Sequence, residues 1–149
     1  MFWMLTNKGK YGLKALVHLA GYERGELLSV IEISEAENIP KKFLDTILLE
    51  LRNAGFVRSK KGPGGGYGLA KEPSQIAIGA VVRTLDGPLA PIACASRTAY
   101  QPCDDCHDLA GCAVRLAMLE VRDAMANVLD NMSLADMVAR TGETRDLVL

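Results

Sequence analysis

A long apolar run is missing from this chain. The apolar stretch at its start, Met1 to Leu5, covers five residues with no basic residue ahead of it. That is too short for a secretion signal and far short of the roughly 20 residues that cross a bilayer as a helix. The expectation is a cytoplasmic chain with no membrane partner. Strong net charge is also missing: the formal value of -1 excludes a protein coated all over in basic surface. Cysteine is absent outside one stretch, since all four, Cys94, Cys103, Cys106 and Cys112, fall within nineteen residues. Cytoplasmic thiols stay reduced, so this crowding excludes a structural disulfide framework and points to metal ligation or redox chemistry. With 49% apolar residues over 149 positions, one proper core forms without help from metal or disulfide.

What charge there is, is unevenly spread. From Lys41 to Lys71 seven basic residues face two acids, whereas from Asp104 to Leu149 nine acids face four arginines. A basic middle suits one face that meets an anion, although ordinary solvated helix faces would give the same count. The basic stretch follows a recognisable order of elements. Leu13, Leu16, Val17 and Ala20 recur at helical spacing over Lys8 to Tyr22, and His18 among them reads as a boundary packing residue. Ser29-Val30-Ile31-Glu32 is a capping box that opens a second helix ending near Asn38. Pro40 suits the first turn of a third helix, whose apolar face is Phe43, Leu44, Ile47, Leu48 and Leu51 and which Gly55 closes.

Two short helices joined by a tight turn match a helix-turn-helix. Phe56 to Lys61 then reads as a strand, Gly62 to Gly66 as a turn and Tyr67 to Ala70 as the returning strand, which together make a basic hairpin, or wing. Ile76 to Leu85 completes the compact part as a fourth helix. Pro88 to Gly111 lacks periodicity and is too long for an idle loop. From Ala113 to Met132, Val114, Met118, Val121, Met125, Val128 and Met132 alternate at intervals of four and three, the spacing of a helix that packs along another helix. Pairing with a second copy is the preferred reading of that stripe, ahead of packing on its own domain. A last turn of helix, Leu134 to Ala139, precedes a tail expected to fray. The expected fold is therefore mainly α with a small β-hairpin wing. Residues 1–87 form the winged helix-turn-helix domain, 88–112 the cysteine-rich loop, and 113–149 a dimerisation helix and tail.

A helix amino terminus in the major groove offers side chains to base edges while neighbouring lysines and arginines neutralise phosphates. Lys41, Lys42, Phe43, Asp45 and Thr46 on the third helix, with Arg58, Lys60, Lys61 and Tyr67 on the wing, are the candidate contacts to double-stranded DNA. Asp45 can accept from a cytosine amino group yet repels phosphate, so it serves discrimination more than affinity. The glycines from Gly62 to Gly68 do not make a nucleotide site: the Gly-Lys-Ser/Thr ending is missing and Tyr67 stands where G-x-G-x-x-G needs glycine. Cys103 to His107 spells the haem-attachment pattern C-x-x-C-H, but that attachment takes place outside the cytoplasm. Four thiolates can surround one iron-sulfur cluster or one zinc, or can work in pairs such as Cys103 and Cys106 as a thiol switch. Spacing alone leaves these three open. A redox enzyme built on that pair lacks the strand-helix context it needs, and nothing else points to catalysis.

Several motifs read together carry a resemblance. They are Lys8-Gly9-Lys10-Tyr11-Gly12-Leu13, Ile39-Pro40-Lys41-Lys42-Phe43-Leu44, Leu51-Arg52-Asn53-Ala54-Gly55, Lys61-Gly62-Pro63-Gly64-Gly65-Gly66-Tyr67 and the close at Met132-Ser133-Leu134-Ala135-Asp136. From Leu5 to Val138 the chain resembles the Rrf2 family of winged-helix regulators, which includes IscR, NsrR and CymR. The resemblance implies a transcription regulator that binds inverted-repeat operators as a homodimer, with the long helix crossing between subunits. It also implies an iron-sulfur cluster, [2Fe-2S] or [4Fe-4S], held by Cys94, Cys106 and Cys112, while the thiolate chemistry of the four cysteines keeps zinc as the alternative metal. Arg115 stands where IscR-like proteins place a histidine, and Lys10 near where NsrR-like proteins place a carboxylate. Neither can ligate, so the resemblance leaves Cys103 as the fourth ligand. On this reading a change at the cluster reorders the loop and alters the spacing of the two recognition helices.

Overall fold

A computed structural model describes residues 4–144. Its first helix, α1, spans Asn7–Ala20, with Thr6 as the cap whose hydroxyl accepts from the Gly9 amide at 3.3 Å. It buries Leu13, Ala15, Leu16 and Leu19. The expected capping box opens α2, Val30–Glu37: the Ser29 hydroxyl accepts from the Glu32 amide at 3.1 Å, and the Glu32 carboxylate accepts from the Ser29 amide at 2.8 Å. Asn38 ends α2 in the left-handed region, at φ 55°. Pro40 sits at the cap position of α3, Lys41–Asn53, one step outside the turn expected for it. Gly55 stops α3 at φ +86°; its amide bonds back to Arg52 and that of Phe56 to Leu51, which brings two buried apolar side chains together.

The wing pairs β1, Val57–Lys60, with β2, Gly66–Leu69, in antiparallel register from Val57 opposite Leu69 to Lys60 opposite Gly66. A third piece of backbone joins it. Leu28 and Tyr67 exchange both amide hydrogen bonds, at 2.9 and 2.7 Å, and so tie the hairpin to the start of α2. Gly66 makes this possible: it sits at φ +146°, and a Cβ there would lie 2.4 Å from the Leu28 carbonyl oxygen. Gly66→Ala should therefore detach the wing from Leu28. The expected result is a fall in melting temperature together with faster amide exchange at Leu28 and Tyr67; native exchange rates there would show that the tie is not needed.

A short 3-10 turn at Pro73–Gln75 delays the next helix, so α4 runs over Ile78–Asp86, starting two residues later than its periodicity suggests. Beyond the cysteine loop lie α5, Ala113–Asp130, and α6, Leu134–Thr144. The last helix is longer than the single turn expected, opened by a reciprocal cap in which Ser133 and Asp136 each bond the other's amide. The tail expected to fray after Ala139 is helical through Thr144, and the rest of it lies outside the described residues. The core filled by α1, α3 and α4 also takes a side chain from far along the chain, because Leu134 is completely buried in it. Two backbone bonds hold this return: Ile78 donates to Met132 at 2.9 Å and Leu134 to Ile76 at 2.8 Å.

Two polar ties bind the helices further. Lys8 on α1 meets Glu50 on α3 at 2.7 Å. Asp86, the last residue of α4, accepts from both the amide and the hydroxyl of Thr6, and Gly9 leaves room for its carboxylate. The start of α1 is thus fastened to the point from which the cysteine loop departs.

Candidate functional site

Two features carry the chemistry. The first is the surface around the amino terminus of α3. Lys41, Lys42 and Thr46 are exposed there, beside the amides that the first helical turn leaves unpaired. Lys41 pairs with Asp45 one turn on, at 3.1 Å, in an exposed contact. Phe43 is half-buried and meets Tyr11 of α1 edge-on, with ring centres 5.6 Å apart. That contact carries Lys10 along, since its ammonium lies 5.4 Å from the Tyr11 ring centre. Lys10 thus shares the Tyr11 ring with Phe43 of α3. On the wing, Arg58, Lys60 and Lys61 are exposed, whereas Tyr67 is half-buried with its backbone committed to Leu28. Arg52, on the last turn of α3, donates to the Ser59 hydroxyl at 3.4 Å and joins α3 to the wing. His18 sits at the edge of the core with Nδ1 3.1 Å from the Glu37 carboxylate, in the packing role expected of it.

The second feature is a cavity of about 440 Å³ between the loop and the start of α5. Cys94, Cys103, Cys106 and Cys112 all line it, together with His107 and Arg115. They reach it from different supports. Cys94 is buried in a 3-10 turn at Ala93–Ala95, and Cys112 caps α5, its sulfur accepting from the Arg115 amide at 3.5 Å. Cys103 and Cys106 stand exposed on irregular chain. Cys103 donates its S–H to the Cys94 sulfur at 3.5 Å. That bond, reinforced by partial desolvation and by the neighbouring Cys94, Asp105 and Cys106, pushes the Cys103 thiol up to about 11, so the free thiol keeps its proton at neutral pH.

Arg115 lines the cavity beside Cys112. Its Nε donates to the Cys94 carbonyl at 2.9 Å and its guanidinium lies 6.0 Å from the centre of the Tyr100 ring, so it braces the cavity without ligating. A second brace is Arg97, which holds Asp123 of α5 through two bonds of 2.7 and 2.6 Å, with Arg122 adding a third at 3.1 Å. The Arg97 bonds, with help from Arg122, pull the Asp123 carboxyl from its ordinary 3.8 down to about 2. A carboxyl depressed by folding favours the folded arrangement above its ordinary value and loses that effect as pH falls through the depressed one. Loop anchoring through Asp123 should thus be complete above pH 4 and fade toward pH 2. Arg97→Ala should return Asp123 to the ordinary carboxylate range, measurable by carboxyl titration in NMR, and raise protease cutting in 96–111. An unmoved titration would mean that another group sets it.

As a donor set the cavity offers four thiols, which suit soft metals, alongside the carboxylates of Asp105 and Asp108 in its lining. Among the described residues, no three Cys, His, Asp or Glu side chains yet stand close enough to hold an ion. Cys94 and Cys103 are the pair in contact, and closing a site around an ion requires the remaining thiols to come nearer to them.

Comparison with known proteins places this architecture. A family model named Rrf2 and described as an iron-dependent transcriptional regulator matches residues 5–140. A Rhodobacter capsulatus protein described as rrf2-like and HTH-type is 48% identical over 139 residues, 91% of this chain and 93% of that protein. The transcriptional regulator CymR of Bacillus subtilis is 32% identical over 137 residues, 92% of this chain and 91% of CymR. The solved structure of CymR, described as the global cysteine regulator of B. subtilis, covers 94% of this chain and 98% of its own, with TM-score 0.75 and 31% identity. T. potens IscR aligns over 94% of this chain and 89% of its own, with TM-score 0.73 and 28% identity.

Proposed function

Because the chain belongs to the Rrf2 family of transcriptional regulators, we propose that it binds an inverted-repeat DNA operator as a homodimer, under the control of an iron-sulfur cluster in its cysteine cavity. The observation that carries the cluster is the convergence of all four thiols on one cavity at the head of α5. Cys94, Cys103, Cys106 and Cys112 would hold it. When bound, such a group supplies a centre that changes charge by electron transfer and can be lost under oxidative or iron-poor conditions.

The chain's own residues convert occupancy of the cavity into a change elsewhere. Gathering Cys106 and Cys112 toward the Cys94 and Cys103 pair would pull on both ends of the loop. One end leaves α4 beside Asp86, which is bonded to Thr6 of α1; the other is Cys112, the cap of α5. Helix α1 in turn packs through Gly12 on both α4 and α3, where a Cβ would lie far inside contact with Leu85 of α4 and 3.4 Å from Ile47 of α3. A shift of the loop is therefore delivered to the helix that carries Lys41 and Lys42.

Dimerisation rests on the face of α5 that its own core leaves uncovered. Val114, Val121 and Val128 are 65%, 42% and 56% exposed, one heptad apart, with Met118 and Met125 half-exposed beside them. Two such faces, related by a twofold axis, cover one another and set the spacing of two α3 helices on DNA.

The contact between Cys94 and Cys103 favours a second reading, in which the thiols themselves, or a zinc they bind, do the sensing without a cluster. Visible absorption with iron, sulfide and zinc analysis on protein purified without oxygen separates the readings. Iron and sulfide with strong visible absorption support the cluster; zinc alone, or no metal, selects the second reading and leaves DNA binding untouched. Cys103→Ser should lower the iron and sulfide content, and unchanged content would remove Cys103 from the ligand set.

A further inference from the structure

We propose that Cys94 and Cys103 are a disulfide-forming pair, and that their bond locks the metal-free cavity shut. The proposal rests on reading the cavity as the sensing site, and it names which thiols react. Spacing favours Cys103 with Cys106, the C-x-x-C neighbours. The structure pairs them otherwise: the turn from Cys103 to Cys106 is closed by backbone, the Cys106 amide donating to the Cys103 carbonyl at 3.3 Å, while the Cys103 sulfur faces that of Cys94 at 3.5 Å. A disulfide needs those sulfurs to approach to about 2.05 Å. The approach is easy to make from one side, since Cys103 stands on exposed irregular chain while Cys94 is held in its turn by the Arg115 bond to its carbonyl. Exposure also assigns the roles. The raised Cys103 thiol supplies little thiolate at neutral pH and so makes the first step slow, but Cys103 is the thiol that the oxidant reaches, and buried Cys94 resolves the intermediate.

The oxidant is a low-molecular-weight disulfide, RSSR. Cys103 gives up its proton and its sulfur attacks RSSR; the Cys103–SR bond forms as the S–S bond of RSSR breaks, and the departing RS⁻ takes up the proton. The Cys94 sulfur then attacks the Cys103 sulfur and expels the second RS⁻, which takes the proton of Cys94. Two protein thiols are oxidised and one RSSR is reduced to two RSH. Two of the four thiols are then unavailable as ligands, and the middle of the loop is pinned to the turn at Ala93–Ala95.

The test uses the full-length, metal-free protein incubated with glutathione disulfide, followed by alkylation of free thiols and peptide mass mapping. Trypsin cutting at Arg97 parts the Cys94 peptide from the other three cysteines, and cleavage before Asp104 and Asp105 parts Cys103 from Cys106. A Cys94–Cys103 cross-link, two hydrogens lighter than the reduced peptides, should exceed any other pair by about tenfold. It should persist in Cys106→Ser and vanish in Cys103→Ser. A dominant Cys103–Cys106 bond, or loss of the cross-link in Cys106→Ser, overturns the pairing. On reconstitution with iron and sulfide, the locked protein should load about tenfold less than protein first reduced with dithiothreitol, and equal loading overturns the lock. If the reduced protein also takes up no iron, the cluster reading fails, and the cross-link map still decides the disulfide by itself.

Discussion

Replacing Lys41 and Lys42 together with alanine should weaken binding to a duplex selected with the natural protein by roughly ten- to hundredfold, as expected for two lost charge-assisted contacts. The same change should flatten the plot of log affinity against log salt by about two units, one for each phosphate contact removed. Both side chains are exposed on the first turn of α3, so the fold has little stake in them. The ion pair of Lys41 with Asp45 does not compete seriously with phosphate: both groups are about half exposed, and such pairs contribute roughly 0–1 kcal/mol. Fluorescence anisotropy over a salt series measures both quantities at once. An unchanged slope would move the DNA face off α3 altogether. Lys60→Ala with Lys61→Ala should lower the slope in the same way, and a loss of affinity without a change of slope there would assign the wing to shape in place of charge.

A larger loss is expected from Val121→Glu with Val128→Glu. These positions lie on the uncovered face of α5, while the side of α5 turned to its own domain is anchored by buried Ala126 and by the Arg83 to Asp130 ion pair. The variant should fold, sediment as a monomer and bind a full inverted repeat on the order of a hundredfold or more weaker, because the second half-site is no longer delivered by the first. Sedimentation equilibrium and anisotropy on the same preparation check this. A variant that remains dimeric would place the interface elsewhere, whereas a monomer that keeps full affinity would remove the need for a dimer.

Much of this architecture was legible in the sequence because local chemistry specifies it. The Ser29 to Glu32 box, the Gly55 stop and the alternating stripe of α3 each act within a few residues, and each appears where its pattern lies. Pairings between distant residues were not legible. Nothing in the spacing of Leu28 announces that it will bridge to Tyr67, or that Leu134 will fill a core begun at Leu13. The cysteines show the same division. Their crowding marks a site, but the contact of Cys94 with Cys103 across nine positions, in preference to the nearer Cys106, depends on a 3-10 turn that no periodicity encodes. Arg97 and Arg115 read as ordinary surface charge until the fold sets one against Asp123 and the other on the Cys94 carbonyl. On α3, Phe43 had the position of a base contact, yet half of it is spent on Tyr11.

The return of α6 sets an order on how the protein comes into being at the ribosome. Every side chain proposed to meet DNA has been synthesised by Tyr67, yet the seat between Ile76 and Ile78 stays empty until Leu134 emerges, roughly 3–13 s later at 5–20 residues per second. By then α5, with the face proposed to pair, has also emerged. The chain therefore completes its DNA-reading body and becomes able to pair in one event, and a fragment released early carries the lysines of α3 on a core with a hole in it.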